Sequence, residues 1–135
     1  MRWFCRLLAG VFLSLSFWGI AIAEDFLDPE VAFKVDAKMV GVGQLRVTFK
    51  VADGYYLYRE QFKFEALGAE LGLITLPPGK VKFDETFGKD VATFHHGLEL
   101  VIPVKAAGDF QLKVRQQGCA DAGLCYPPMD LVLPV

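Results

Sequence analysis

The sequence predicts an all-β fold, an antiparallel β-sandwich of immunoglobulin-like type, and three observations carry that prediction. Apolar and polar residues alternate along most of the chain, turn-forming residues separate the alternating stretches, and no segment sustains a helical apolar stripe for three turns.

The first element lies outside that pattern. Met1 to Arg6 carries two arginines, Leu7 to Ile22 is apolar and free of charge, and Ala21-Ile22-Ala23 is a small-x-small cleavage pattern. A spanning helix needs roughly 17–25 apolar residues, so this run is at the short end for an anchor. Its layout is that of an export signal removed after Ala23. Residues 1–23 are thus predicted to be a signal peptide, and residues 24–135 one mature domain large enough to bury a core unaided. Arg2 and Arg6 leave with the signal, so fourteen basic residues become twelve against sixteen acidic ones, a formal net charge of −4 instead of −2. That balance argues against nucleic acid and against an anionic membrane surface as partners.

The strands follow in order. Val31, Phe33 and Val35 alternate with polar neighbours, and Leu45, Val47, Phe49 and Val51 alternate with Gln44, Arg46, Thr48 and Lys50. The alternation returns at Phe62-Phe64-Ala66, Leu98-Leu100-Ile102-Val104, Phe110-Leu112-Val114 and, more weakly, Leu131-Leu133. Between them stand Asp53-Gly54, Pro77-Pro78-Gly79, Phe87-Gly88-Lys89, His96-Gly97 and Ala107-Gly108-Asp109, at spacings that suit antiparallel meanders. His95 and His96 read as turn residues. Phe110 to Gln116 reads as a strand running straight into Gly118-Cys119, and the chain leaves Cys125 through Tyr126-Pro127-Pro128 into the last strand. The two cysteines then flank a hairpin-like loop at one end of the sandwich, with Ala-Asp-Ala-Gly-Leu between them partly exposed.

Cys5 departs with the signal, which leaves the even pair Cys119 and Cys125. In an oxidising compartment such a pair is bonded unless something reduces it, as a structural staple or as a redox centre. Closing a seven-residue ring restrains the unfolded chain by only roughly 2 kcal/mol, a poor return for a staple. Exchange requires a thiolate that reaches a disulfide sulfur in line, a second thiol to resolve the mixed disulfide and access for a protein partner, and a C-x5-C pair on an exposed loop meets the last two. Asp121 inside the loop adds a negative charge that raises a thiol pKa and slows its attack. Zinc fits poorly, because two cysteines with the adjacent His95 and His96 lack paired ligand spacing.

Gln117-Gly118-Cys119-Ala120-Asp121-Ala122-Gly123-Leu124-Cys125-Tyr126-Pro127-Pro128 closely resembles the N-terminal periplasmic domain of the thiol:disulfide interchange protein DsbD. Asp53-Gly54-Tyr55-Tyr56-Leu57-Tyr58-Arg59, then Asp84-Glu85 and Phe87-Gly88-Lys89, agree in the same order, so the resemblance spans nearly the whole mature chain. It implies an immunoglobulin-like protein-disulfide reductase domain with no bound cofactor, in the periplasm, with a full-length parent in the inner membrane. Electrons would come from a thioredoxin-like domain and pass to periplasmic disulfide isomerases and cytochrome c maturation proteins. Cys125 would form the mixed disulfides and Cys119 resolve them. Tyr56, Tyr58, Asp84 and Glu85 resemble the family's active-site surround; two tyrosines at i and i+2 of a strand share a face. Thr86, Phe87 and Gly88 resemble its cap loop, with one departure. The aromatic that directly follows the acidic pair in the family is Thr86 here, and Phe87 stands one place later. A one-residue shift in an extended loop turns a side chain to the other face, so shielding of the disulfide by this loop is open on sequence. The competing reading is a non-catalytic immunoglobulin-like binding module with a structural disulfide.

Overall fold

Strand β2 (Gln44–Val51) shows how the fold follows from the pattern. Leu45, Val47, Phe49 and Val51 are buried, while Gln44 and Lys50 stand in solvent. A strand turns successive side chains to opposite faces, so the alternation read from sequence is the burial observed. The computed structural model describes Gly19 and residues 25–135. The predicted signal otherwise lies outside the described residues.

A short helix, α1 (Pro29–Ala32), leads into β1 (Phe33–Gly41), which pairs with β2. Val31 was expected in that first strand. Pro29 at the first helical position, where its missing N–H costs nothing, starts a helical turn there instead and leaves Val31 exposed. The remaining strands are β3 (Tyr55–Tyr58), β4 (Lys63–Leu67), β5 (Glu70–Leu71), β6 (Lys80–Asp84), β7 (Lys89–Phe94), β8 (Gly97–Lys105), β9 (Gln111–Gln116), β10 (Gly118–Ala120) and β11 (Met129–Pro134). They form three antiparallel sheets in the orders β1-β2-β8-β5, β11-β9-β4 and β10-β3-β7-β6.

The core lies between the first two sheets. Leu45, Val47 and Phe49 of β2, Leu100 and Ile102 of β8, and Leu112 and Val114 of β9 are almost completely buried. Phe62 and Phe64 close it against Phe49, with ring centroids 4.9 and 6.2 Å apart.

The third sheet positions the cysteines. Strand β3 is buried on both faces: Tyr55 and Leu57 point into the main core, whereas Tyr56 and Tyr58 form a second cluster with Val91 and Cys119. The expected continuous strand through Gly118 is two strands. Gln116 ends β9 in one sheet, Gln117 crosses over, and Gly118 begins β10 in another. Gly118 is required by close approach, since a Cβ there would lie 2.4 Å from the Tyr56 carbonyl oxygen and 2.6 Å from the Phe33 ring. Any side chain at 118 would push β10 off β3.

Candidate functional site

Cys119 lies opposite Tyr56 on β10 and is completely buried. Beyond it the chain turns at Asp121-Ala122 and returns so that Cys125 forms a bridge with Cys119. Ala120 N–H donates to the Leu124 carbonyl at 2.7 Å and Tyr126 N–H to the Gly118 carbonyl at 3.0 Å. Those two bonds bracket the cysteines, making them the non-hydrogen-bonded pair of an antiparallel ladder, where facing side chains come closest. Their Cα atoms are 4.0 Å apart and their sulfurs are bonded. Asp121, Ala122, Gly123 and Leu124 are exposed as expected, Ala120 is instead buried because it is still paired with Tyr55 in β10, and Cys125 is half-buried.

The predicted surround assembles in part. Tyr56 and Tyr58 share a face of β3, as their spacing requires, and meet edge to face with centroids 5.5 Å apart. The Tyr58 hydroxyl lies 3.0 Å from Cys119 Sγ and donates to Asp84 Oδ2 at 2.6 Å. A bonded cysteine has no proton to give, and tyrosine has one, so that proton goes to the carboxylate and the sulfur only touches the phenol oxygen. Asp84 Oδ1 accepts the Phe87 N–H at 3.0 Å, and the Asp84 carbonyl accepts the Gly88 N–H at 2.8 Å. One buried carboxylate therefore holds both the tyrosine and the loop. Glu85 is exposed and makes no hydrogen bond or ion pair among the described residues, so it belongs to this cluster only by sequence position.

The loop from 84 to 88 does lie over the cysteines, with its two candidate shields divided. Thr86 Oγ1 stands 3.7 Å from Cys125 Sγ, and the Phe87 ring packs edge-on against Tyr58 with centroids 5.1 Å apart. The one-residue shift has the effect anticipated from strand geometry. The aromatic covers the Tyr58–Asp84 pair, and the small side chain faces the half-buried sulfur.

Two residues of the site were not found from sequence. Lys82 places its ammonium 3.4 Å from the centre of the Tyr56 ring. His95, read as a turn residue, packs against Tyr56 with centroids 5.4 Å apart and brings Nε2 within 3.6 Å of Asp121 Oδ1. His96 is the turn residue proper, with a left-handed φ of 66°. The lysine at i+2 before Asp84 in an alternating strand was the available signal for Lys82; nothing local marked His95.

The electrostatics follow from burial and hydrogen bonding. Burial would raise the Asp84 pKa, but the Tyr58 hydroxyl, the backbone N–H groups of Phe87 and Thr86 and the charge of Lys82 outweigh it, and the net shift is downward. Burial, reinforced by the hydrogen bond to Asp84 and the proximity of Tyr56, raises Tyr58 well above the ordinary phenol range. These shifts make two contributions to stability depend on pH. The Asp84 contribution is present above the unfolded aspartate value of about 3.9 and is lost as pH falls through its lowered folded value. That of Tyr58 is present below the unfolded value of about 10 and is lost as pH rises beyond it. We expect Asp84→Asn to flatten the acid limb and Tyr58→Phe the alkaline limb of a denaturation-versus-pH profile. An unchanged acid limb in Asp84→Asn would show that another carboxylate governs it.

Comparison with known proteins gives the family of the chain. The family model described as the N-terminal region of the thiol:disulfide interchange protein DsbD matches residues 23–135. The chain belongs to the DsbD N-terminal domain family. Among curated relatives, a thiol:disulfide interchange protein DsbD of Ralstonia nicotianae is 49% identical over 113 residues, covering 79% of this chain and 18% of that protein. DsbD 2 of Pseudomonas aeruginosa is 42% identical, covering 84% of this chain and 19% of that one. The chain thus spans about a fifth of the curated relatives it matches. The crystal structure of the reduced DsbD N-terminal domain of Neisseria meningitidis superposes with a TM-score of 0.69 at 36% identity, covering 81% of this chain and 88% of that one. The complex of that DsbD domain with the PilB N-terminal domain matches at 0.68 and 36%, covering 83% and 88%. The DsbD N-terminal fold is therefore the fold of this chain, and a bonded cysteine pair occupies the end of its sandwich.

Proposed function

We propose that this domain is a periplasmic protein-disulfide reductase module that relays electrons through the Cys119–Cys125 pair. The observation that carries the reading is the unequal accessibility of the two sulfurs within one short hairpin: Cys119 is fully buried, and Cys125 is half-buried under a threonine. A staple has no need of that asymmetry. Exchange does, because an incoming thiolate must approach one sulfur along the S–S axis while the other leaves.

In the electron-accepting half-cycle a thiolate of a thioredoxin-like donor attacks Cys125 Sγ. The S–S bond breaks, its electron pair goes to Cys119 Sγ, and a proton from solvent completes the thiol beside Tyr58. The donor's second thiolate then attacks the mixed disulfide, releasing Cys125 as a thiolate and leaving the donor oxidised and this domain a dithiol. On a disulfide of a periplasmic disulfide isomerase or cytochrome c maturation protein the steps run in reverse: the Cys125 thiolate attacks one substrate sulfur while the other leaves with the electron pair, then the Cys119 thiolate attacks Cys125 Sγ and releases the substrate as a dithiol, which returns the pair to its bonded state. No cofactor enters this sequence. The larger grooves among the described residues lie away from the cysteines, on the outer face of β1-β2-β8, between β1 and β11, beside β5 and β8, and on β4-β9, and a smaller pocket adjoins Tyr58 and Phe87. The complex formed by the Neisseria relative supports a protein as the partner. Export by a cleaved signal at residues 1–23 and a parent held in the inner membrane complete the proposal.

A redox titration tests it against the binding-module reading. Structural disulfides of secreted proteins lie below about −300 mV, and exchanging ones are more oxidising. We expect a potential above that mark; one well below it would make the bridge a staple.

The loop geometry adds a prediction on rates. A phenylalanine at 86 would set apolar bulk against Cys125, where threonine now stands. Thr86→Phe should slow reduction of the oxidised domain by a small thiol. Phe87→Ala uncovers Tyr58 without opening a direct path to Cys125, and should change that rate less. Rates ordered the other way would make Phe87 the shield.

A further inference from the structure

We infer that Lys82 is a positioning residue of the exchange reaction, whose ammonium, seated on the Tyr56 ring, offsets the negative charge that arrives on Cys119 Sγ when the S–S bond breaks. That role belongs to the relay proposed above, while the charge effect itself does not depend on it. In the electron-accepting half-cycle the bond pair passes to Cys119 before a proton reaches it, so charge forms on a completely buried sulfur. A buried charge without a partner is costly. The nearest polar neighbours do not relieve that cost. The Tyr58 oxygen stands 3.0 Å from the sulfur, but its proton is committed to Asp84 at 2.6 Å, so the sulfur faces lone pairs backed by a carboxylate.

Lys82 reaches this cluster from the side. Cys119 and Tyr56 are partners across β10 and β3, so their side chains leave the sheet as neighbours on one face, and both belong to the buried cluster that includes Tyr58 and Val91. Lys82 is the partner of Val91 across β6 and β7 and shares that face. Its ammonium lies 3.4 Å from the centre of the Tyr56 ring, where the aromatic face holds a cation in place. Its charge also acts on Asp84 and favours the ionised carboxylate there. Lysines on an edge strand ordinarily guard it against pairing with another chain, and β6 is an edge strand. Lys80 is exposed and fits that simple role, whereas Lys82 is half-buried against an aromatic ring.

The remaining charged and titratable groups around the cysteines are engaged elsewhere or carry the wrong sign. Lys89, opposite Asp84 in the β6–β7 ladder, turns to Glu60 at 3.7 Å in solvent. His95 packs on Tyr56 and lies 3.6 Å from Asp121 of the cysteine loop, so a proton on its ring is matched by that carboxylate. Glu85 is exposed and negative. Lys82 is left as the cation that can balance both the resident charge of Asp84 and the transient charge of Cys119.

The test is thiolate absorbance against pH in the reduced protein carrying Cys5→Ser and Cys125→Ala, in which Cys119 is the only thiol. Lys82→Met keeps the stem and removes the charge. At a fixed pH below the midpoint it is expected to leave on the order of fivefold less thiolate, and Lys82→Arg, which keeps a cation able to sit on the ring, to restore it. With both cysteines present, Lys82→Met should slow reduction by a small thiol about threefold, because a leaving thiol of higher pKa departs more slowly, again with recovery in Lys82→Arg. Equal thiolate in Lys82→Met and its parent overturns the inference. So does a loss that Lys82→Arg fails to recover, since the effect would then lie in packing of the stem. A redox titration that made the bridge a staple would remove the relay and leave the thiolate difference standing, whereas an unchanged thiolate titration beside a working relay would remove Lys82 alone.

Discussion

Cys119→Ala is expected to accumulate a mixed disulfide with a thioredoxin-like partner through Cys125, whereas Cys125→Ala traps at least about tenfold less, since exchange is limited by access to the attacked sulfur. The reason is geometric. With Cys119 gone, the half-buried Cys125 can still form the mixed disulfide with the partner but has no neighbour to resolve it, so the intermediate persists. With Cys125 gone, the remaining sulfur is completely buried behind Tyr56 and Tyr58. Non-reducing electrophoresis of the two variants mixed with the partner reads the result directly. Equal trapping would mean that docking moves the loop far enough to expose both sulfurs, and the static asymmetry would lose its meaning.

The second large effect is expected at Asp84. Asp84→Ala removes the acceptor for both the Tyr58 hydroxyl and the Phe87 N–H. A hydrogen bond to a charged acceptor contributes about 1.5–3 kcal/mol, so a stability loss of about 3 kcal/mol is anticipated, together with reduction by a small thiol faster on the order of tenfold as the loop comes free. Asp84→Asn separates the two roles. Its amide oxygen can still receive the Phe87 N–H, so the loop should stay in place and the rate should change little, while the charged partner of Tyr58 is lost. Thiol-reduction kinetics beside chemical denaturation of both variants tests this. Equal acceleration in the two would show that the Phe87 hydrogen bond does not hold the loop.

Much of this was legible in the residues because half-buried strands write their burial into an alternation. Leu45 to Val51 and Leu98 to Val104 gave β2 and β8 nearly residue for residue. Strand β3 was harder, since Tyr55-Tyr56-Leu57-Tyr58 is buried on both faces and shows no alternation; only the spacing of Tyr56 and Tyr58 pointed to a shared side. The crossing at Gln117 was hidden because a chain can leave one sheet and enter the next without a turn residue. Lys82 and His95 reach Tyr56 through the pairing of β6, β7 and β3, contacts between segments far apart in sequence; the place of Lys82 two residues before Asp84 was a local hint, and His95 had none. Asp84 was placed near the cysteines by resemblance, but its division between tyrosine and loop depends on distances that sequence does not carry.

The two backbone hydrogen bonds that bracket the cysteines have a consequence for timing. They do not depend on the sulfur–sulfur bond, so after reduction the hairpin still holds the two Cα atoms close. A resolving thiol fixed beside its target acts at an effective concentration far above any free thiol in solution, because the entropy of bringing the groups together has been spent in folding. Under the proposed relay, a mixed disulfide at Cys125 would stay within reach of internal attack by Cys119. A partner that docks unproductively would then be cut loose by the domain's own chemistry, and the hairpin would act as an escape clock that limits how long a wrong partner is held.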